Sequence, residues 1–280
     1  MGNSDSGFED ANKSNTFNRL SQEYTHLRTE TNKRYDSAQL YKSNIDPSKI
    51  VLVRHMVFMS DAQSNELKSR LEQYKRVEDP HLCKLIDYSF STSKEFCNEK
   101  YLCTAVFEFT EDCLQDVMSA RRKSMNTAAQ GAPKRAVGYF TEHEAWTVLS
   151  QIMQGLSSLN DMQLFFGDVQ PNNIMVFNRN TLQIKLFDPK YCLAEKTAYR
   201  RKLNNNDCNT PLCPNGLREL RDKNQQPRFA PDKAEVFSIG ITMLSMLFCE
   251  DFNCYYDYKD YTIDFEQIGS KLGKLAGAGY

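Results

Sequence analysis

Glycine is scarce in the first half of this sequence. The 280-residue chain has 12 glycines, and none of them lies between Gly7 and Gly131. A loop that wraps closely around a phosphate group needs glycine, because a side chain obstructs the approach of the backbone. The sequence therefore excludes a glycine-rich phosphate-binding loop from residues 8–130.

Long apolar runs, paired cysteines and an excess of charge are also missing. No apolar run of about 18 residues is present, so the sequence predicts no transmembrane helix. The nine cysteines form no CxxC pair, and reduced thiols in the cytosol are a simpler interpretation than a zinc site. With 35 basic and 36 acidic residues, the net charge of -1 provides no global field that would recruit nucleic acid.

The first 22 residues are polar, and their composition predicts a disordered tail. The tail begins with the letters MGNSDS, which fit the N-myristoylation pattern because Gly2 follows the initiator methionine and Ser6 stands at the required place. A single acyl chain binds membranes only weakly and reversibly, and this acidic tail supplies no basic second signal. We therefore expect at most weak membrane contact through Gly2.

Hydrophobic patterning in residues 23–110 predicts strands, one helix and further strands. The helix is marked by apolar residues at helical spacing over residues 62–77. The β-type runs cover residues 24–27, 37–41, 49–58, 82–90 and 101–109.

The rest of the chain is predicted to be mainly helical. Thr141 and Glu144 form a capping box at the start of a helix. The apolar face of this helix is expected to carry Trp146, Leu149, Met153, Leu156 and Leu159. Around it, the sequence predicts a linker at about 121–138, a polar mobile segment at 192–228, a fully buried helix at 236–248 and an amphipathic helix near 263–275.

The most informative motif is the run FGDVQPNN at 166–173, followed by LFDPK at 186–190. An acid, an amide five residues later and a second acid fifteen residues after that match the catalytic loop and metal-binding segment of a protein kinase. Together with FAPD at 229–232 and EVFSIG at 235–240, this ordered series resembles a eukaryotic protein kinase in a degenerate form, a pseudokinase. The resemblance covers roughly residues 24–250.

The resemblance implies an α+β fold with two lobes. A small β-rich N-lobe is expected at residues 23–110, after the disordered tail of residues 1–22. A shortened, mainly helical C-lobe is expected at residues 111–280, truncated or replaced at its C-terminal end. Apolar surface left open by the missing helices would need a partner to cover it. The tyrosine cluster at 255–261 is predicted either to form a contact surface or to pack locally.

Three positions keep the residue types that the kinase pattern requires. Asp168 matches the base that accepts the substrate hydroxyl proton, and Asn173 and Asp188 match the two residues that hold metal ions. An alternative is that Asp168 and Asn173 only tie together a tight loop, because short polar side chains bind the nearby backbone. If a nucleotide binds, the resemblance places it at Arg54, Glu108, Thr110, Asn173 and Asp188.

Most neighbouring positions depart from the pattern. Arg54 replaces the lysine that holds the nucleotide phosphates, and its planar fork is a poor geometric substitute for an ammonium group. Gln170 replaces the lysine that contacts the transferred phosphate. Lys190, after Pro189, stands where the kinase pattern has glycine, and it could pair with Asp188 in place of a metal ion.

Two further departures concern helix residues. Arg70 falls where kinases have the glutamate that pairs with the lysine, so it would repel Arg54. Glu66 or Glu72 could substitute only with a shifted helix, and the alternative is that all of these are ordinary solvated helix charges. Glu235 takes the place of an aspartate that braces the catalytic loop.

These departures together imply a catalytically inactive scaffold that acts through protein–protein contacts in a larger assembly. It is expected to be cytoplasmic, on a cytoskeletal or membrane-associated complex, and to need no cofactor. Two alternatives are a slow, atypical ATP-dependent serine/threonine kinase and a nucleotide-binding switch without catalysis. Both alternatives require Mg-ATP, which this altered site would bind weakly.

Overall fold

A computed structural model describes residues 22–32, 36–95, 98–128, 139–187, 196–204 and 211–277. The myristoylation motif at Gly2 and the expected metal ligand Asp188 lie outside these residues. The chain is a mixed α+β protein that divides into two compact units. The first unit comprises Met1–Arg76 and Cys83–Thr110, and the second comprises Val77–Leu82 and Glu111–Tyr280.

The first unit is built on a five-stranded antiparallel sheet in the order β1-β2-β3-β5-β4. One helix, α1 (Asp61–Tyr74), connects β3 to β4 and packs on the sheet through Leu67, Leu71 and Tyr74. The predicted order of strands, helix and strands is confirmed. The strands are β1 (Tyr24–Asn32), β2 (Asp36–Ser43), β3 (Ile50–Phe58), β4 (Leu85–Glu95) and β5 (Asn98–Phe109).

In its described residues, the second unit is mainly helical and has two small antiparallel hairpins. Its helices are α2 (Leu114–Ala128), α3 (Glu142–Asp161), α4 (Thr197–Asn204), α5 (Pro214–Arg221), α6 (Pro231–Phe248) and α7 (Phe265–Gly277). The hairpins are β6 (Ile174–Asn178) with β7 (Gln183–Leu186), and β8 (Tyr256–Asp257) with β9 (Thr262–Ile263). No helix within the described ranges is long and apolar enough to cross a membrane.

Helix α3 begins with the predicted capping box, in which Thr141 and Glu144 bind each other's backbone N–H groups. Its predicted apolar face is wrong at Trp146 and Met153, which are 62% and 49% exposed, and right at Leu156 and Leu159, which are buried. The buried face also includes Gln151, whose amide donates to the Leu182 carbonyl and accepts from an N–H of β7. A buried glutamine is tolerated because these partners satisfy it, and hydrophobic periodicity cannot anticipate such partners.

The predicted linker at 121–138 is wrong for its first part, since residues 121–128 belong to α2. The guanidinium of Arg121 holds both carboxylate oxygens of Glu144, at 3.0 and 2.5 Å, and lies 3.9 Å from the ring centre of Phe140. The hydrogen bonds from Arg121 lower the pKa of Glu144. A long-range ion pair therefore fixes a helix that composition alone suggested was a linker.

The segment 192–228 contains two helices, α4 and α5, where the sequence predicted a mobile segment. That prediction is wrong for the parts described, because Tyr199, Leu217 and Leu220 are buried in one apolar cluster. A few apolar residues at suitable spacing are enough to anchor short helices whose other positions are polar.

Helix α6 is only partly buried, which contradicts the predicted fully buried helix. The side chain of Val236 is 65% exposed, whereas Thr242 and Ser245 are fully buried. Their hydroxyl groups donate to the carbonyls of Val169 and Ile241. Satisfied hydroxyl groups thus occupy the buried side of α6 and leave an apolar residue on its open side.

The tyrosine cluster packs locally, as one of the two alternatives predicted. Tyr255 and Tyr256 are 1% and 9% exposed, and the Tyr256 hydroxyl donates to the Leu212 carbonyl at 2.9 Å. The amphipathic stretch near 263–275 forms the final helix, α7, as expected.

Candidate functional site

The 166–173 loop connects α3 to the first small hairpin of the second unit, and a 3₁₀ turn at Pro171–Asn173 closes it. Gly167 has a φ of 74°, a left-handed conformation that most side chains would strain. Phe166 and Val169 are buried on either side of it. The loop is therefore anchored by apolar side chains and bent at a glycine.

Glu235, at the start of α6, braces this loop. Its carboxylate accepts the Gly167 N–H at 2.6 Å and a further hydrogen bond from the backbone of Phe166. Burial raises the pKa of Glu235, and the two N–H donors partly offset that rise. The expected bracing role of Glu235 is thus visible in its contacts.

Asp168 is 0% exposed, and its carboxylate is held by two side-chain amides. Gln170 Nε2 lies 2.9 Å from both carboxylate oxygens. Asn173 Nδ2 lies 2.9 Å from Asp168 Oδ2 and 2.9 Å from the Asp168 carbonyl oxygen. This geometry matches the alternative in which Asp168 and Asn173 tie together a tight loop.

The contribution of Gln170 was missed at the level of sequence. The sequence indicated only a lysine lost from the kinase pattern, whereas the structure gives this residue a contact of its own. Gln170 is 2% exposed and supplies two of the hydrogen bonds that Asp168 accepts. An acid and a glutamine two residues apart are too common in sequences to have predicted this contact.

The predicted metal ligands are described only in part. Asn173 is 1% exposed, and its amide nitrogen is committed to Asp168, which leaves its side-chain carbonyl oxygen as the atom that a metal ion could take. The chain continues through Leu186 and Phe187 to Asp188, which lies outside the described residues. The described half of this pair is buried.

Arg54 lies on β3 with its side chain 7% exposed, opposite Ala38 on β2 and Ala105 on β5. Arg70 does not reproduce the expected repulsion, because its guanidinium pairs with Glu66 one turn earlier on α1. The alternative of ordinary helix charges therefore agrees with the structure.

Glu108 and Thr110 lie at the end of β5 and directly after it. The Glu108 N–H donates to the Lys84 carbonyl at 2.8 Å, and a Glu108 carboxylate oxygen accepts the Lys84 N–H at 3.2 Å. Thr110 is half-buried. The polar groups of Glu108 are thus used within the first unit.

A small cavity lies beside the 166–173 loop in the second unit. It measures about 20 Å³, and Gly167, Lys196, Cys213 and Glu235 are among the residues that line it. This volume holds about one water molecule and is far too small for a nucleotide. Burial raises the pKa of the Cys213 thiol, which disfavours the reactive thiolate form.

Comparison with known proteins does not assign the chain to a family. No family model matches it, and no curated protein matches it. A functional interpretation therefore depends on the spacing of the motifs and on the contacts of the 166–173 loop.

Proposed function

We propose that this chain is a kinase-like protein that transfers no phosphate and acts as a scaffold for a protein partner. The observation that carries the proposal is the enclosure of Asp168 by Gln170 and Asn173. A general base must reach the proton that it removes, within about 3.2 Å or through one water molecule. The buried Asp168 carboxylate already accepts three hydrogen bonds, and a carboxylate has about four acceptor sites.

The kinase-like part of the proposal is supported by the order of elements along the chain. A five-stranded antiparallel sheet with a helix between its third and fourth strands precedes a helical unit. The capped helix α3 leads into the 166–173 loop, and Glu235 binds the backbone of that loop from the start of α6. We infer from this series a small β-rich N-lobe and a shortened, mainly helical C-lobe.

The loss of phosphotransfer is supported by two further features. Residues 8–130 hold no glycine that would allow a close phosphate cradle, and β1 carries the charged pair Arg28 and Glu30 instead. Arg54 stands where the resemblance expects lysine. Each lost contact costs about 3 kcal/mol of transition-state stabilisation, so several together suppress turnover by many orders of magnitude.

The proposal is tested by the thermal unfolding midpoint of the full chain with millimolar ATP, with and without Mg²⁺ or Mn²⁺. A ligand that binds only the folded state must raise this midpoint. We expect no shift. A metal-dependent shift that Asp188→Asn abolishes would instead favour a nucleotide-binding switch.

A second experiment tests whether Gln170 alone prevents Asp168 from acting as a catalytic base. Gln170→Lys restores the residue type of the kinase pattern while leaving Arg54 and the absent glycine loop unchanged. We expect no transfer of labelled phosphate from ATP to a protein substrate by either form. Asp168-dependent transfer in Gln170→Lys alone would show that Gln170 by itself prevents catalysis, whereas transfer by the unsubstituted chain that Asp168→Asn abolishes would overturn the scaffold and favour a slow kinase.

A further inference from the structure

The segment that contains α4 and α5 is unusually basic. Residues 196–228 hold eight Lys or Arg and three Asp or Glu, whereas the whole chain has 35 and 36. A local excess of one sign in a nearly neutral protein needs either an internal partner or an external one.

Two of these basic residues serve the fold. Lys196 donates to the Pro227 carbonyl at 3.0 Å and lies 5.5 Å from the ring centre of Phe229. Lys202 is 6% exposed and lies 3.7 Å from the ring centre of Tyr258. These two cations are therefore not available to another molecule.

Five other basic residues are exposed, and we call them together the basic surface: Arg200, Arg218, Arg221, Lys223 and Arg228. Arg221 pairs with Asp222, but both side chains of that pair are more than half exposed. An exposed pair of this kind contributes little to stability and is easily exchanged for another partner.

Hydrogen bonds from the side chains of Tyr199 and Lys196 to backbone carbonyls hold together the segments that carry these residues. The Tyr199 hydroxyl oxygen lies 3.1 Å from the Glu219 carbonyl oxygen and 2.5 Å from the Asn224 carbonyl oxygen. Arg200 follows Tyr199 directly, while Arg218 and Lys223 are the immediate neighbours of the two contacted residues. Lys196 donates to the carbonyl of Pro227, the residue directly before Arg228, so this contact holds the segment of Arg228 close to Lys196.

The helix dipole explains only part of this distribution of basic residues. Arg218 and Arg221 lie in the last turn of α5, where the helix dipole favours positive charge. Arg200 lies in the middle of α4, and Arg228 lies outside any helix. The dipole gives no reason for cations at these two positions.

We propose that the basic surface binds an acidic peptide segment of a partner protein, rich in carboxylates or phosphorylated. This proposal specifies the chemistry of the protein partner, and it rests on the scaffold function proposed above. Four of the five residues are arginines, whose planar fork pairs with carboxylate and phosphate through two parallel hydrogen bonds. The interspersed Glu219 and Asp222 weaken the diffuse potential that a membrane or RNA would sense, but they leave individual arginines open.

The inference is tested by fluorescence anisotropy with the full chain and two labelled peptides of equal length. One peptide alternates Glu with phosphoserine, and the other replaces these residues with Gln and Ser. We expect the acidic peptide to bind and the neutral one not to bind, with affinity that falls as salt rises from low to physiological ionic strength. No binding of the acidic peptide would overturn the inference.

Charge-reversal variants locate the binding. The double variant Arg218→Glu/Arg228→Glu is expected to lose about tenfold or more in affinity. The matched control Lys68→Glu/Arg76→Glu changes the net charge equally at exposed positions of the first unit, and it should stay within about twofold. An equal loss in both variants would overturn the assignment to the basic surface, because net charge alone would then drive binding. Circular dichroism checks that both variants remain folded.

Competing partners give the remaining outcomes. Vesicles containing phosphatidylserine, or a single-stranded RNA, that bind in place of the peptide would overturn the choice of a peptide partner. The proposed lack of catalysis can fail separately. If the chain binds the acidic peptide and also phosphorylates an added substrate in an Asp168-dependent reaction, the binding role of the basic surface stands and the lack of catalysis is overturned.

Discussion

Two regions of the second unit use polar side chains in opposite ways. In the 166–173 loop, Asp168, Gln170 and Asn173 are at most 2% exposed and bind one another. On the basic surface, cations such as Arg200 and Arg218 are exposed, and their neighbours bind the fold instead. Charge in the loop that resembles a kinase catalytic motif is thus buried and structural, whereas the exposed charge of the basic surface is the charge that we propose a partner binds. Substitutions should therefore affect stability in the loop and binding on the surface.

The largest expected effect is that of Asp168→Ala. It leaves the buried amide donors of Gln170 and Asn173 without their acceptor, so we expect the free energy of unfolding to fall by about 3 kcal/mol. Urea unfolding followed by circular dichroism measures this. A fall below about 1 kcal/mol would mean that Asp168 is not the structural centre of the loop.

Gln170→Ala tests whether the hydrogen bonds to Asp168 stabilise the loop. It removes two of the hydrogen bonds accepted by the buried carboxylate, and we expect a loss of about 2 kcal/mol by the same measurement. Gln154→Ala is the matched control, because Gln154 is an exposed residue of α3. Equal stability of the two variants would contradict a structural role for Gln170.

Thr242→Val tests the brace that α6 gives to the loop from its buried side. The Thr242 hydroxyl donates to the Val169 carbonyl at 3.1 Å, so an apolar side chain of similar shape should cost about 1 kcal/mol. Ser245→Ala is the control, since its hydroxyl donates to a carbonyl within α6 itself. The prediction fails if the control variant loses as much stability as Thr242→Val.

Glu235→Gln tests the contact between Glu235 and the Gly167 N–H through the pH dependence of stability. Burial raises the pKa of Glu235 above its usual value of 4.5, so the folded state favours the protonated form. The contribution of Glu235 to stability is therefore greatest below pH 4.5 and is lost as pH rises through the raised pKa. The stability of Glu235→Gln relative to the unsubstituted chain should rise with pH over that interval. The lowered pKa of Glu144 has the opposite sign and cancels in this difference.

The smallest expected effect is on the basic surface. Arg200→Ala and Arg218→Ala should change the free energy of unfolding by no more than about 0.5 kcal/mol, because both side chains are exposed. Their binding of the acidic peptide should nevertheless weaken. A loss of stability comparable with that of Gln170→Ala would erase the distinction between the two regions.

Sequence patterns predicted the order of strands and helix along the first unit and the helix that opens at Thr141, and the resemblance singled out the bracing residue Glu235. They could not predict that Gln151 is buried, or that Thr242 lies on the buried side of α6 while Val236 is exposed, because a polar side chain is buried only where a partner group satisfies its hydrogen bonds. For the same reason, the sequence did not predict the contact between Gln170 and Asp168. Sequence spacing indicated which residues come together in the loop, but not which hydrogen bonds they form.

The only tryptophan of the chain, Trp146, lies 62% exposed on α3. Its indole is already largely in water, so its fluorescence should emit near the wavelength of a hydrated indole and change little when the chain unfolds. A partner that covers this part of α3 would exclude water from the ring, shift the emission to shorter wavelength and protect it from acrylamide quenching. The protein thus carries an intrinsic optical reporter of contact at this helix, separate from any reporter of its folding.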